Sequence, residues 1–298
     1  SASGERAPVI AWRDVLHDGP VPRARPADLN RIRAHFLSTC GWADEAKVLT
    51  DLTERDAALL RAAERGEVVL WFEHDLYDQL QQLQAIALLA DAGRIDAATI
   101  VACDRYIGWL QPSDVAGWLH RRRPVTEAEV EEAVLAWQAF TAPTPELLPH
   151  LALAPSTWPF LRPAFERLVQ EFPDSRTGLP RTESSALTIL GLKGPLTLDA
   201  LFRAQQDTEA ALFMGDASFA RRVDELLSCA CPPVTRVGDD GTLLELTSAG
   251  AAMRDGTMDH LVENGIDRWI GGTHLREDHL WRWDAERAAF VRDLHLRG

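Results

Sequence analysis

Short apolar segments alternate with helical patterns in the first part of the chain, and this alternation restricts the fold more than any other feature. Three segments have the length and composition of buried strands: residues 9–12, 68–72 and 99–103. The stretches between them repeat apolar side chains at helical spacing: residues 27–38, 55–65 and 76–90. Strands that alternate with helices predict an α/β domain with an open, mostly parallel, Rossmann-like sheet.

The order of elements changes in the second half of the chain. Helical patterns at residues 182–190, 198–204 and 217–228 precede two short strands, Val234–Val237 and Leu243–Leu246, which flank an Asp-Asp-Gly turn. Three helices followed by a hairpin predict a winged-helix-like α+β domain.

A helical and proline-rich stretch separates these two predicted domains. Thr126 and Glu129 form a capping-box pattern that begins a helix, and prolines between residues 143 and 159 interrupt regular structure. Another helix is predicted at residues 162–171, and the PDSRTGLP run at 173–180 indicates a boundary. We therefore expect four regions: a Rossmann-like domain over residues 1–125, a helical linker over 126–178, a winged-helix-like domain over 179–256, and a Trp-rich tail over 257–298 that packs back on the first domain.

The composition is that of an acidic protein that can bury real hydrophobic cores. Of 298 residues 46% are hydrophobic, and the formal net charge of −14 repels nucleic-acid phosphates and anionic membranes. The four cysteines suggest neither a disulfide framework nor a complete zinc site. No apolar run reaches the roughly 18 residues of a membrane span, and the first residues carry no signal-peptide core. We expect a cytoplasmic protein without a membrane partner.

Polar side chains follow each predicted strand, which is where open α/β sheets bind their ligands. The candidate catalytic residues, as acids or bases, are His17, Asp18, Glu73 and His74. The candidate substrate-binding residues beside them are Asp14, Asp75, Asp78, Gln79 and Arg105. Two alternatives are structural, because Asp75 has the position of a helix N-cap and the segment 17–20 has the composition of a tight turn.

Other kinds of chemistry have less support from the sequence. Glu73, His74, Asp75 and Asp78 include metal-ligand types, but adjacent strand side chains point to opposite faces, so we predict no metal site. The chain lacks G-x-G-x-x-G after the first strand, G-x-x-x-x-G-K-[ST], G-x-S-x-G and H-E-x-x-H, which leaves any cofactor unknown. Cys103 is either a nucleophile or an inert buried thiol.

A winged helix also raises the hypothesis of DNA binding, with Arg221 and Arg222 near phosphates. Residues 181–255 contain seven Lys and Arg against eleven Asp and Glu, and the tip of the wing is Asp239-Asp240. Acidic groups at the wing would repel the phosphate backbone. Nucleic acid is therefore not the expected partner, and a domain that covers a site or forms a dimer contact fits the charge better.

Two further segments supply candidate binding residues. In the tail, Arg268 and His274 flank a Gly-Gly pair that allows close backbone approach, so they are expected to reach the crevice. The alternative is a Trp-rich flap whose arginines stack on tryptophan for stability. At the domain boundary, Arg181 is a candidate anion clamp with Glu183 as its partner, or the segment simply begins a helix.

Four runs carry a family resemblance: WRDVLHDGPVP at residues 12–22, LWFEHDLYDQL at 70–80, RTE at 181–183 and DRWIGGTHL at 267–275. Over nearly the whole chain they resemble the bacterial domain-of-unknown-function 1835 family. The resemblance implies no reaction, because that family has none assigned. Similar proteins usually begin with an extra strand that ends in a Gly-Asp-Ser-like turn, so we expect a first strand to be missing here.

Three functional hypotheses follow from these features. The first is an enzyme that acts on a small polar or anionic substrate, such as a nucleotide-like one, in the crevice at the strand ends. The second is a ligand-responsive regulator whose winged helix contacts DNA or protein. The third is a scaffold without chemistry, in which the polar cluster is fully paired internally; self-association is compatible with each.

Overall fold

The computed structural model describes residues 8–293, which form a mixed α/β fold of helices around small sheets. The helices are α1 Pro26–Thr39, α2 Glu45–Arg65, α3 Leu76–Asp91, α4 Pro112–Leu119, α5 Glu127–Phe140, α6 Leu148–Leu153, α7 Leu161–Val169, α8 Arg181–Lys193, α9 Leu198–Gln206, α10 Asp216–Ser228, α11 Ser248–Arg254 and α12 His260–Asn264. The strands are β1 Gly19–Pro20, β2 Val68–Phe72, β3 Ala98–Ala102, β4 Arg123–Pro124, β5 Leu196–Thr197, β6 Val234–Val237, β7 Leu243–Leu246, β8 Arg268–Gly271, β9 Thr273–Leu275, β10 Leu280–Asp284 and β11 Ala289–Asp293.

A parallel pair of strands forms the centre of the first part of the fold. β2 and β3 pair from Val68 opposite Ala98 to Phe72 opposite Ala102, and α3 is the connection that returns the chain to the same edge. The α/β class and the strand at residues 68–72 are confirmed, and the strand predicted at 99–103 begins one residue earlier. β4 adds to β3 in the antiparallel direction, so this sheet has three strands and one parallel pair.

The strand predicted at residues 9–12 is wrong. Val9 is 91% exposed, and no described strand pairs with residues 8–15. An apolar run of four residues becomes a strand only where a neighbouring backbone completes its hydrogen bonds. Here Trp12 packs instead on α2 and α3, with the Arg55 guanidinium 4.1 Å from its ring and its indole N–H donating to Gln84 Oε1 at 2.9 Å.

The second part of the fold combines helices α8, α9 and α10 with a small antiparallel sheet. Both strands of the predicted hairpin are confirmed as β6 and β7, which pair from Val234 opposite Leu246 to Val237 opposite Leu243. β5 pairs with the other edge of β7, which gives the sheet order β5-β7-β6. The predicted helices at 182–190, 198–204 and 217–228 lie within α8, α9 and α10.

The C-terminal segment returns to the N-terminal part of the chain. β8 pairs in parallel with β1, so that Gly19 lies opposite Ile270, and β10 and β11 form a separate hairpin. One continuous hydrophobic cluster extends from Leu16 to Trp283 and includes residues of every part of the fold. The division of the chain into four regions therefore stays a prediction.

Helix caps follow the patterns in the sequence. The Thr126 side chain accepts from Glu129 N, and the Glu129 carboxylate accepts from Thr126 N, which confirms the capping box at α5. None of the helices between residues 8 and 293 has both the length and the apolar composition that a membrane crossing requires.

Candidate functional site

The carboxyl ends of β2 and β3 open into a cavity of about 340 Å³, here called the strand-end cavity. Its lining includes His74, Asp104, Arg105, Tyr106, Trp109 and Asp114. Because parallel neighbours end at the same sheet edge, His74 after β2 and Arg105 after β3 lie together there. A second cavity, of about 410 Å³, continues from it over Arg105 and Asp114 to Arg121.

The imidazole of His74 is a wall of this cavity. Its ring lies 4.9 Å from the ring of Tyr106 and 5.9 Å from that of Phe160, and its Nδ1 is buried and has no hydrogen-bond partner among residues 8–293. Burial lowers the pKa of His74, although the carboxylates of Asp104 and Asp78 oppose the shift. The ring is therefore neutral near pH 7 and has a nitrogen free to accept a proton.

Three carboxylates accept backbone hydrogen bonds that stabilise the loop between β2 and α3. Glu73 accepts a hydrogen bond from Ile107 N at 2.6 Å, Asp78 accepts one from Glu73 N at 2.6 Å, and Asp75 accepts one from Asp78 N at 3.2 Å. Asp75 is thus the N-cap of α3, which confirms the structural alternative for this residue. Gln79 donates from its side-chain amide to the carbonyl of Glu73 at 2.7 Å.

Burial raises the pKa of each of these carboxyl groups. For Asp75 the pKa rises to about 7, because desolvation and the charge of Asp78 outweigh the hydrogen bonds from the helix N-terminus. Burial also raises the pKa of Glu73 and Asp78. Asp75, the residue after His74, therefore has a carboxyl group that titrates close to neutrality.

The outer wall of the strand-end cavity is aromatic, and it carries the guanidinium of Arg105 together with the carboxylates of Asp104 and Asp114. Trp109 is 70% exposed, and its ring lies 4.5 Å from that of Tyr106, which in turn contacts His74. Arg105 is exposed and lines both connected cavities. An exposed indole beside a guanidinium that pairs with no carboxylate among the described residues is a surface that can stack on a planar group and bind an anion.

His17 lines a different cavity, of about 360 Å³, here called the His17 cavity. Its walls include Val15, Trp42, Tyr77, Phe213 and Met214. His17 is 4% exposed, and burial lowers its pKa to about 4. The expectation of one crevice for all four candidate catalytic residues is therefore not met, because residues 9–12 form no strand that would carry His17 to the sheet edge.

Asp18 and Asp14 are bound to arginines rather than open to a ligand. Asp18 accepts from Arg221 and, at 3.1 Å, from Arg222, and these guanidinium groups outweigh burial and hold the pKa of Asp18 well below its usual range. Asp14 forms a buried ion pair with Arg33 at 2.8 Å. Arg33 also donates to the carbonyls of Val15, Asp18 and Pro20, so it fixes this loop.

The candidate binding residues of the boundary and the tail also pair within the protein. Arg268 donates to Glu183 at 2.6 Å and to Glu225. Because both carboxylates lie beside it, Arg268 stays with them and does not reach the strand-end cavity, contrary to the expectation. Arg181 donates to Gln170 Oε1 at 2.6 Å.

His274 lies flat on Trp269, with their ring centroids 4.4 Å apart, and contacts the Asp267 carboxylate at 2.6 Å. It lines neither the strand-end cavity nor the His17 cavity. This pair is histidine on tryptophan, whereas the flap alternative predicts arginine on tryptophan; in the tail, the Arg292 guanidinium lies 6.0 Å from the Trp281 ring.

The two arginines that DNA contact would need are engaged inside the fold. Arg222 is buried against Asp18, and Arg221 donates to both Asp18 and Glu225. Among residues 8–293 no three or more His, Cys, Asp or Glu side chains come together in a way that could hold a metal ion. Cys103 donates to the carbonyl of Arg105 at 3.1 Å, and burial raises the pKa of its thiol, which disfavours the nucleophilic thiolate.

Sequence reasoning missed the aromatic residues of both cavities and the role of Arg33. Arg33 lies four residues from both Leu29 and Leu37 on the buried face of α1, and this spacing is a signal that could have identified it as an internal arginine. Tyr106 and Trp109 lie in a loop where no periodic pattern predicts their direction.

Comparison with known proteins identifies no relative, since no protein-family model, curated protein or solved structure matches the chain. The resemblance to the domain-of-unknown-function 1835 family stays a prediction. The side chains of the strand-end cavity are what a proposed function can be built on.

Proposed function

We propose that the protein is an enzyme that binds a small, planar, anionic, nucleotide-like substrate in the strand-end cavity. One observation carries the proposal: the neutral imidazole of His74, the free guanidinium of Arg105 and the exposed indole of Trp109 line a single cavity. A guanidinium binds phosphate or carboxylate, an indole stacks on a planar ring, and a neutral imidazole accepts a proton.

These groups have separate roles in the proposed site. Arg105 binds the anionic group, and Trp109 with Tyr106 stacks on the ring system. His74 is the general base, and the cavity's position beyond the carboxyl ends of parallel strands supports this assignment, because open α/β sheets commonly bind ligands there. Glu73 precedes His74 in the chain and accepts a hydrogen bond from Ile107 N, and we keep it as the candidate proton donor behind the cavity wall; burial raises the pKa of its carboxyl group. Any cofactor remains open.

Calorimetric titration with AMP tests the binding step. Adenosine, which lacks the phosphate, and ribose 5-phosphate, which lacks the base, are titrated separately to test the two parts of AMP. Arg105→Ala is expected to weaken AMP about tenfold while leaving adenosine unchanged, because a charge-assisted hydrogen bond contributes on the order of 1.5–3 kcal/mol. Trp109→Ala is expected to weaken both AMP and adenosine about tenfold through loss of stacking.

Two controls separate the cavity from the rest of the surface. Arg31→Ala removes an exposed arginine of α1, and Leu192→Ala removes an exposed apolar side chain of α8; both should bind AMP like the wild type. His74→Ala should retain AMP binding within a factor of about three. Chromatography of a nucleotide mixture incubated with each protein measures substrate conversion, and His74→Ala should abolish any conversion that the wild type shows. Equal AMP affinity in Arg105→Ala, Trp109→Ala and the controls would overturn the proposed site.

We also infer the finer character of the two parts of the fold. The β2–α3–β3 unit supports a Rossmann-like assignment for the first part, and the order of α8, α9, α10 and the β5-β7-β6 sheet supports a winged-helix-like assignment for the second. The regulator hypothesis gains nothing from this arrangement, because Arg221 and Arg222 are bound to Asp18. A cytoplasmic location and self-association stay predictions.

A further inference from the structure

The His17 cavity is separate from the proposed active site. Its lining shares no residue with that of the strand-end cavity, although the two walls meet where Leu212 N donates to the Tyr106 hydroxyl. Apolar and aromatic side chains form most of its surface, chiefly Trp42, Tyr77 and Phe213. A volume of about 360 Å³ is in the range of small-ligand sites.

An unsatisfied histidine forms one wall of this apolar space. His17 is 4% exposed, and neither Nδ1 nor Nε2 has a hydrogen-bond partner within the part of the chain that the structure describes. Its neighbours in the cavity include the rings of Phe213 and Tyr77, with ring centroids 5.2 and 5.9 Å away in edge-to-face arrangements, and the Tyr77 hydroxyl bonds to neither His17 nitrogen. Buried polar groups nearly always have a partner, and a ligand atom in the cavity would supply one.

The N-terminus of α10 supplies a second polar feature at the same cavity. Gly215, Ala217 and Ser218 line it, and the N-cap Gly215 has no side chain to close the first turn of this helix of 13 residues. Ala217 N donates to Asp216 Oδ1 at 2.8 Å, so one amide of the turn is satisfied within the protein. The partial positive charge of a helix N-terminus favours a carboxylate.

We propose that the His17 cavity is a second binding site, which takes a small monocarboxylate with an aromatic or branched apolar body. The carboxylate lies at the start of α10 and accepts a hydrogen bond from His17. The apolar body packs on Trp42, Phe213 and Met214. A phosphate dianion fits this site poorly, because walls that are mostly apolar cannot compensate its desolvation. The proposal does not depend on the function assigned to the strand-end cavity.

Phenylacetate and 4-methylpentanoate are the probes, and phenylacetamide is the uncharged match for the first. Binding is measured by heteronuclear NMR titration of the full chain. Either acid should shift resonances of the His17 ring and of the first turn of α10, and phenylacetamide should bind at least about tenfold more weakly than phenylacetate, because it lacks the charge.

Two variants test the location of the site. His17→Phe preserves an aromatic ring but removes the hydrogen bond, so phenylacetate affinity should fall about tenfold. Ala217→Trp places a large side chain at the exposed rim and should abolish binding without altering the core. Leu192→Ala, at a distant exposed position of α8, is the control and should bind like the wild type.

Circular dichroism and urea unfolding establish that each variant is folded before its affinity is compared. Failure of both acids to bind overturns the proposal, as does equal affinity for phenylacetate and phenylacetamide. Unchanged affinity in both His17→Phe and Ala217→Trp places the acid elsewhere and overturns it as well. AMP binding at the strand-end cavity is measured separately, so the failure of one site is distinguishable from the failure of the other.

Discussion

The Nη2 atom of Arg222 lies 3.1 Å from Oδ1 of Asp18, although 204 residues separate them in the chain. Both side chains are buried, and Arg221 contacts the same carboxylate. Glu225 then links Arg221 to Arg268. This chain of ion pairs connects the loop before α1 to helix α10 and to strand β8, so its charges fix how distant parts of the sequence pack together.

Neutralising Asp18 should therefore destabilise the whole protein. Asp18→Asn leaves Arg222 and Arg221 without their shared carboxylate, and breaking a buried pair of this kind costs about 3–5 kcal/mol. Urea unfolding measures the free energy of unfolding. Asp28→Asn is the matched control, because its partners are exposed arginines and its effect should be small. Equal midpoints for the two variants would contradict the structural role of Asp18.

Asp75 should make the protein less stable as the pH rises toward neutrality. Its pKa in the folded state is about 7, above the ordinary value of 3.8, so the folded state holds the proton more tightly. Stability is then lost between about pH 4 and pH 7 and stays low above that range. Asp75→Asn retains a good N-cap without a titrating group, so it should be more stable than the wild type at pH 8 by roughly 4 kcal/mol and not at pH 4.

The comparison uses urea unfolding of both proteins at the two pH values. Asp44→Asn is the control, because Asp44 caps α2 with an exposed side chain that accepts from Lys47 N at 2.9 Å. It should show no comparable gain at pH 8. A loss of stability in Asp75→Asn at pH 8 would mean that the carboxylate is ionised and favourable in the fold.

The elements that could be predicted from the sequence are those whose signals are local. The hairpin of β6 and β7 follows from its turn and its apolar strands, and the start of α5 follows from Thr126 and Glu129. The meeting of His74 with Arg105 follows from two parallel strands that end at one edge. A few neighbouring residues decide the hairpin and the helix start, and the alternation of strand, helix and strand decides the meeting of His74 with Arg105.

The partners of the charged site residues depend on contacts between distant parts of the chain, which no local pattern specifies. The sequence predicts Asp18 as a catalytic acid or base, but Asp18 pairs with Arg221 and Arg222 on α10. Arg268 was predicted to reach the crevice, but Glu183 and Glu225 lie nearer. A charged side chain is bound by whichever opposite charge the fold places beside it, and the fold decides that after the sequence pattern has been read.

Gly271 should tolerate no side chain, because the tail meets α5 there at backbone distance. Its φ is +57°, and a Cβ atom would lie 2.2 Å from the carbonyl oxygen of Phe140. We expect Gly271→Ala to destabilise the protein by roughly 3 kcal/mol, from backbone strain together with the clash. Thermal unfolding measures the loss.

Comparison with Gly194→Ala separates backbone strain from steric clash as causes of the loss expected for Gly271→Ala. Gly194 has a φ of +77°, yet nothing lies within 4 Å of its Cβ position, so its substitution carries strain without a clash. Gly271→Ala should lower the midpoint of thermal unfolding more than Gly194→Ala does. Equal losses would show that the tail can move away from α5 at little cost.

His17 should make the protein lose stability at acid pH, because its buried ring resists protonation. Burial lowers its pKa from the ordinary 6.5 to about 4, while Asp18 and Arg222, which face the ring, act in opposite directions. The unfolded chain therefore binds the proton more readily, and stability falls as the pH drops from about 6.5 to about 4. His17→Phe cannot titrate, so its stability relative to the wild type should rise by roughly 2 kcal/mol between pH 7.5 and pH 5.

Urea unfolding of His17→Phe and the wild type at both pH values measures this difference. His120→Phe, which replaces an exposed histidine, is the control. A constant difference between His17→Phe and the wild type would mean that the folded protein binds a proton at His17 as readily as the unfolded chain does.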